Sequence, residues 1–189
     1  MIFYAGGHSM ARFTTFVENH FVMLEINFPV LALSAVIPLA VGSLWYSPLL
    51  LANAWMKSAD MTEDKIKGAN MILIFGLTYV FSFFLAMLLQ VLVIHQFHLG
   101  SILMDEPDFN DPNGVTRTTL NNFMELYGDR FRTFGHGAFH GVFTGLFFSL
   151  PVIAINALFE RLGARYILIN AGYWIVSLAL MGGIICQFT

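Results

Sequence analysis

Two pairs of histidines are the residues whose type and spacing could carry chemistry: His95 and His98, three apart, and His136 and His140, four apart. On an α-helix those spacings set the imidazoles about 60° and about 40° apart around the axis, on one face of each segment. Imidazoles paired in this way on two neighbouring helices can converge on a transition metal such as zinc, copper or iron, or act as axial ligands to a haem. The same groups can relay or sense protons, because histidine changes charge near neutral pH. They also fit plain interfacial histidines that stay neutral and reach water. No Cys, Asp or Glu stands in the two apolar stretches that carry them to complete a coordination shell. No nucleophile, base and oxyanion set is visible either, so an enzyme is not expected.

The elements that hold these residues follow from composition. Of 189 residues, 57% are hydrophobic and 11% charged, with twenty Phe, against roughly 25% charged residues in soluble domains. The solvent implied is hydrocarbon. Four stretches are long enough to cross a bilayer, which takes about 20 apolar residues at about 1.5 Å each. They predict an all-α integral membrane protein with transmembrane helices over about 28–50, 70–96, 134–159 and 165–187. Residues 1–25 read as an N-terminal extension, and 99–132 as an insertion in the second loop of a transmembrane domain covering 26–189. No run alternates polar and apolar residues as a β-barrel strand would. Arg12, Glu18 and Glu25 speak against a cleaved signal peptide, so the first span is expected to be its own insertion signal. A net charge of -3 without a basic stripe excludes nucleic acid as a partner. Cys186, the single cysteine, can form no internal disulfide.

Span ends carry their own punctuation. In "GSLWYSPLLLANAWMK", Pro48 interrupts the backbone ladder, while Trp45, Tyr46 and Trp55 suit the headgroup level and Lys57 can reach water from there. The expected reading is an aromatic belt at a helix exit, with a packing or binding role for Tyr46 and Ser47 as the alternative. Asn27 and Pro29 suit the start of the first span. Pro38 and Pro151 fall inside spans and predict kinks, with the hydroxyls of Ser34 and Ser149 placed to satisfy freed carbonyls.

Gly137, Gly141 and Gly145 recur every four residues and predict a seam where another helix, internal or from a second copy, approaches closely. Asn156 falls eleven residues further on the same helical line. With Asn170 and Tyr173 it is expected to be a buried polar group, and Ser177 extends the polar edge of the fourth span.

Outside the spans, Phe13, Phe16, Val17, Phe21 and Leu24 have helical spacing, as do Leu120, Phe123, Met124 and Tyr127 after a Thr-rich cap at 116–119. Both predict amphipathic interfacial helices, and His20 lies beside the first of them. "MDEPDFNDPNG" reads as an acidic turn. Asp105, Asp108, Asn110 and Asp111 lack the spacing and closing Glu of a calcium loop. Lys57, Lys65, Lys67, Arg161 and Arg165 lie in the first and third loops, against Arg12, Arg117, Arg130 and Arg132 on the other side. This predicts both termini in the periplasm. Pro38 and Pro151, each with an aromatic seven or eight residues on, would also suit a parallel repeat of two hairpins.

The stretches "GSLWYSPLLLANAWMK", "HGAFHGVFTGLFFSLP" and "INALFERLGARYILINAGYWIVSLALMGGII" together resemble an uncharacterised bacterial family of small four-span membrane proteins, known only as a domain of unknown function. The likeness covers about residues 30–98 and 134–187, and it implies an architecture without a mechanism. The expected role is a structural or accessory component of the bacterial inner membrane, packing with lipid and with further copies or other membrane subunits. The alternatives are a metal or haem protein using the four histidines and a small-solute carrier lined by Asn156, Asn170 and Tyr173.

Overall fold

The computed structural model describes residues 26–189, and the first expected interfacial helix, with His20, lies outside them. Among the described residues four helices are long and apolar enough to cross a membrane: Phe28–Trp45, Met71–Val93, Phe134–Phe159 and Ala164–Phe188. The described residues contain no strand. In chain order they form α1 (Phe28–Ser34), α2 (Ile37–Trp45), α3 (Ala52–Ser58), α4 (Glu63–Lys67), α5 (Met71–Val93), α6 (Gln96–Leu103), α7 (Val115–Tyr127), α8 (Phe134–Thr144), a π-helical turn (Gly145–Ser149), α9 (Leu150–Phe159) and α10 (Ala164–Phe188). Contacts group them into two compact units. One is the bundle, Asn27–Ile94 with Phe131–Thr189. The other includes His95–Arg130.

Within the bundle α10 is the hub, in contact with helices of each other span. It alone buries a long series of side chains, from Ile169 through Met181 to Cys186, whereas α5 turns most of its apolar residues outward, Ile72 being 88% exposed. Outward apolar residues are at rest against lipid tails. Side chains fix the span starts. Asn27 Oδ1 accepts from the Val30 amide at 3.2 Å with Pro29 in the first turn. Asn70 Oδ1 accepts from the Leu73 amide at 3.1 Å, and Thr133 Oγ1 from the His136 amide at 3.3 Å. The Asn27 amide also donates to the Phe188 carbonyl at 3.2 Å, joining the beginning of the first span to the end of the fourth.

Pro38 divides the first span into α1 and α2, because its ring nitrogen cannot donate to the preceding turn. The hydroxyl of Ser34 does not mend the gap as expected. It is fully buried and has no hydrogen-bond partner among the described residues. Across the bundle the Tyr173 hydroxyl donates to Pro38's own carbonyl at 3.0 Å, which ties the kink to α10.

Pro151 acts differently on the third span. The turn before it widens, so that the Leu150 amide reaches back five residues to the Gly145 carbonyl. A π-turn amounts to one extra residue in the helix and rotates everything beyond it by about 100°. Asn156 is therefore corrected from buried to exposed, and Ala157, one place further on, takes the inner position at 0% exposure.

The second span also ends earlier than its hydropathy suggests. Ile94 leaves helical geometry (φ -109°, ψ 98°), and His95 and His98 lie on the separate helix α6, with His95 as its N-cap. In that unit Gln96 Nε2 lies within hydrogen-bond distance of the carbonyls of Tyr127, Gly128 and Arg130, at 3.3, 2.8 and 3.1 Å, and its two hydrogens are shared among them, tying α6 to the end of α7. The amphipathic helix expected here is α7, and it buries Leu120.

Its cap is not the Thr cluster. Asp108 reaches over eight residues, accepting from the Thr116 amide at 2.9 Å and the Thr116 hydroxyl at 2.6 Å. Asp111 Oδ1 accepts from the Asn113 amide at 3.0 Å, so these two acids serve the turn itself. Gly114 is required because the Asp108 carbonyl lies where its Cβ would be. The two Thr116 bonds hold the Asp108 carboxyl below its ordinary value of 3.8. A depressed carboxyl supports the fold above its unfolded pKa and withdraws that support as pH falls through the folded one. The Thr116 amide resonance should thus be constant above about pH 5 and move only below about pH 4. Asp108→Asn should remove that pH dependence.

Candidate functional site

The motif that reads as an aromatic belt is a lock between the first and fourth spans. Trp45 Nε1 donates to the Ile169 carbonyl at 3.0 Å, and the Tyr46 hydroxyl donates to Asn170 Oδ1 at 3.0 Å. The Asn170 amide nitrogen donates onward to the Tyr166 carbonyl at 2.7 Å. The Tyr46 ring lies 5.4 Å from Trp55, edge to face, and 5.3 Å from Tyr173. Gly172 leaves room for the Trp45 ring, whose nearest atom would be 3.0 Å from an added Cβ. Pro48 sits in the exposed turn after the span, and Ser47 accepts from the Leu50 and Ala52 amides through its carbonyl, at 3.1 Å each. The polar atoms of Trp45 and Tyr46 thus bond protein, the packing role that stood beside the aromatic belt as its alternative. Sequence contained a signal for this, since the end of a first span and the start of a fourth share one membrane face, where "WYSP" and "NAGY" could meet.

A second contact builds the wall beneath the histidines. Gly137 and Gly141 lie against the backbone of α10, where added Cβ atoms would run into the Gly182 and Leu178 carbonyl oxygens. At Gly145 an added Cβ would be 2.7 Å from Ile175 Cγ1. The partner helix of this seam is internal. Cys186 belongs to the same wall, its buried thiol sharing one S–H between the Phe131 carbonyl at 3.3 Å and the Val93 carbonyl at 3.5 Å. It is a packed core residue.

Of the four candidate ligands, the bundle holds His136 and His140, whose rings lie 4.6 Å apart. A ring nitrogen of one is within 4.8 Å of a ring nitrogen of the other. Both are half-buried. Phe131 stacks on His136 at 5.0 Å with 20° between planes, and Phe139 meets His140 edge-on at 5.5 Å. Phe131 keeps a left-handed backbone (φ 65°), a conformation that costs a bulky L-residue about 1 kcal/mol or more. It is held there beside His136 while its carbonyl receives the Cys186 thiol. His95 and His98 belong to the other unit.

A family model described as "Protein of unknown function (DUF1761)" matches residues 30–186, a range that takes in the lock, the seam and all four histidines. The chain belongs to the DUF1761 family. No curated protein and no solved structure matches it. Within this DUF1761 member two polar side chains of α10 are engaged by the first span, Asn170 by Tyr46 and Tyr173 by Pro38. Two features were beyond sequence reasoning. The π-turn leaves no residue-type signature besides Pro151, and the break at Ile94 occurs in an apolar run without Gly or Pro.

Proposed function

We propose that this DUF1761 protein is a structural or accessory membrane component that works through helix packing in an oligomer or a larger complex. The observation that supports it most is the use of the bundle's polar groups. Trp45, Tyr46 and Tyr173 donate to other helices of the same bundle, and Asn170 accepts from Tyr46 while its amide nitrogen donates to Tyr166 in its own helix, which makes a firm scaffold. The carrier reading needs Asn156, Asn170 and Tyr173 around one path, and Asn156 instead lies on an exposed face of α9.

A face for assembly is offered by Phe139, Phe143 and Phe147, spaced one turn apart on the third span. Their rings are 6.4 and 4.5 Å apart in succession, and all three are exposed. The five cationic residues of the first and third loops support a bacterial inner membrane with both termini periplasmic. Phe143→Cys and Phe147→Cys, oxidised in isolated native membranes, should give covalent dimers, and the gently solubilised protein should exceed monomer mass. Monomer mass together with no crosslink at either position would refute the reading.

A further inference from the structure

We propose that the interior of the bundle binds one water molecule at the Pro38 kink, held by the hydroxyls of Ser34, Ser82 and Ser177. This goes beyond the packing role, which needs no ligand. The three residues come from the first, second and fourth spans, whose helices α1, α5 and α10 all touch one another within the bundle. Each residue is at most 1% exposed, and none of the three Oγ atoms has a hydrogen-bond partner among the described residues. Hydroxyls elsewhere in the spans are satisfied on their own helix: Thr78 donates back to the Ile74 carbonyl at 2.7 Å and Thr144 to the His140 carbonyl at 2.8 Å. The three serines do not turn back in this way, although they are more deeply buried and an unpaired hydroxyl is costly there.

Register places the three hydroxyls at one depth. The first and fourth spans run antiparallel, joined by Asn27 to Phe188 at one end and by Trp45 to Ile169 at the other, with Tyr173 on Pro38 between them. Ser34 stands four residues before Pro38 and Ser177 four after Tyr173, so both lie one turn, about 6 Å, from that bond in the same direction. Ser177 Oγ comes near the Tyr173 hydroxyl without the geometry of a hydrogen bond, which puts it on the side of α10 that meets the first span. The second and fourth spans run parallel, and the Cys186 thiol reaches the Val93 carbonyl at their shared end. Ser82 is eleven residues before Val93 and Ser177 nine before Cys186, a difference in depth of about 3 Å.

Chemistry selects the ligand. A buried water takes about two to four polar partners, and a serine hydroxyl can both donate to it and accept from it. Helices α1, α5 and α10 contain no Asp or Glu, so a cation held there would have no counter-charge. Water also answers the kink. Pro38 cannot supply the amide that the Ser34 carbonyl would receive in an unbroken helix, and a water beside the Ser34 hydroxyl can donate to that carbonyl instead. The bend in the first span is then served from inside the bundle twice, by Tyr173 at the Pro38 carbonyl and by water one turn away.

The full-length protein, carbon-labelled and reconstituted in lipid bilayers, is read by solid-state NMR in which magnetisation starts on water. The Cβ signals of Ser34, Ser82 and Ser177 should receive it at short mixing times, while Ala157 and Met181, both 0% exposed, receive it only later. In the Ser34→Ala/Ser177→Ala variant the early Ser82 signal should be lost with helical content unchanged, which separates lost water from lost folding. Should that variant not fold, Ser82→Ala read at Ser34 and Ser177 takes its place, with weakened early signals expected and unchanged ones overturning the site. Early signals at fewer than two of the serines in the wild type, or an unchanged Ser82 signal in the folded double variant, overturn it as well. Serine shifts that move when Na⁺ is exchanged for K⁺ at constant ionic strength would show an ion in place of water and overturn it equally. The Phe143→Cys and Phe147→Cys crosslinks report the packing role separately, so either reading can fail alone.

Discussion

Gly141→Leu should abolish the folded bundle, and Gly141→Ala should lower its unfolding midpoint in mixed micelles sharply. Even the methyl of alanine would meet the Leu178 carbonyl oxygen and the Ala179 Cα, both backbone atoms that no rotamer change can move aside. Relief demands separation of α8 from α10, and overpacking of this kind costs roughly 1–3 kcal/mol, occasionally more. Separation also weakens the close dispersion contacts on which helix association in lipid depends. Gly137→Ala should behave likewise, because the Gly182 carbonyl oxygen and Cys186 occupy its space. Gly135 supplies the control on the same helix. An added Cβ there meets nothing within 4 Å, so Gly135→Ala should be neutral or slightly stabilising. Equal melting of the Gly135 and Gly141 variants would dismiss the seam.

Tyr173→Ala should produce the other large loss, about 3 kcal/mol by analogy with aromatic truncations in packed interiors. Tyr173 is 8% exposed, its ring meets Tyr46 at 5.3 Å, and its hydroxyl donates to the Pro38 carbonyl. Tyr173→Phe keeps the ring and forfeits only the hydrogen bond, about 1 kcal/mol. The ordering of the two variants is the test, read as reversible unfolding of helical signal in mixed micelles. If truncation to Ala costs no more than loss of the hydroxyl, the ring is not packed as described.

Sequence showed the spans because the cost of exposing backbone and charge to hydrocarbon is large and local, and it registers in every apolar run. The glycine seam was legible for a related reason. A four-residue repeat keeps to one helical face as long as the helix is regular, which holds from Gly137 to Gly145 and fails immediately afterwards at the π-turn. That is why extrapolating to Asn156 misplaced it by one residue. The Asp108 cap escaped notice because it bridges eight positions through a turn, whereas a local rule looks at the residue before the helix. Trp45 and Tyr46 were harder still. A ring with one polar atom is equally at home among headgroups or against a carbonyl of another helix, and only the position of α10 decides between them.

The lock between the first and fourth spans sets a timetable for biogenesis. Trp45 waits for Ile169, and Tyr46 for Asn170, each 124 residues away in the chain. At ordinary rates of synthesis this is a delay on the order of ten seconds after the first span has left the ribosome. Throughout that interval an indole N–H and a phenol stand without their eventual acceptors at the edge of the bilayer. The nascent protein therefore depends on headgroups, water or the insertion machinery to shelter them until its last helix arrives.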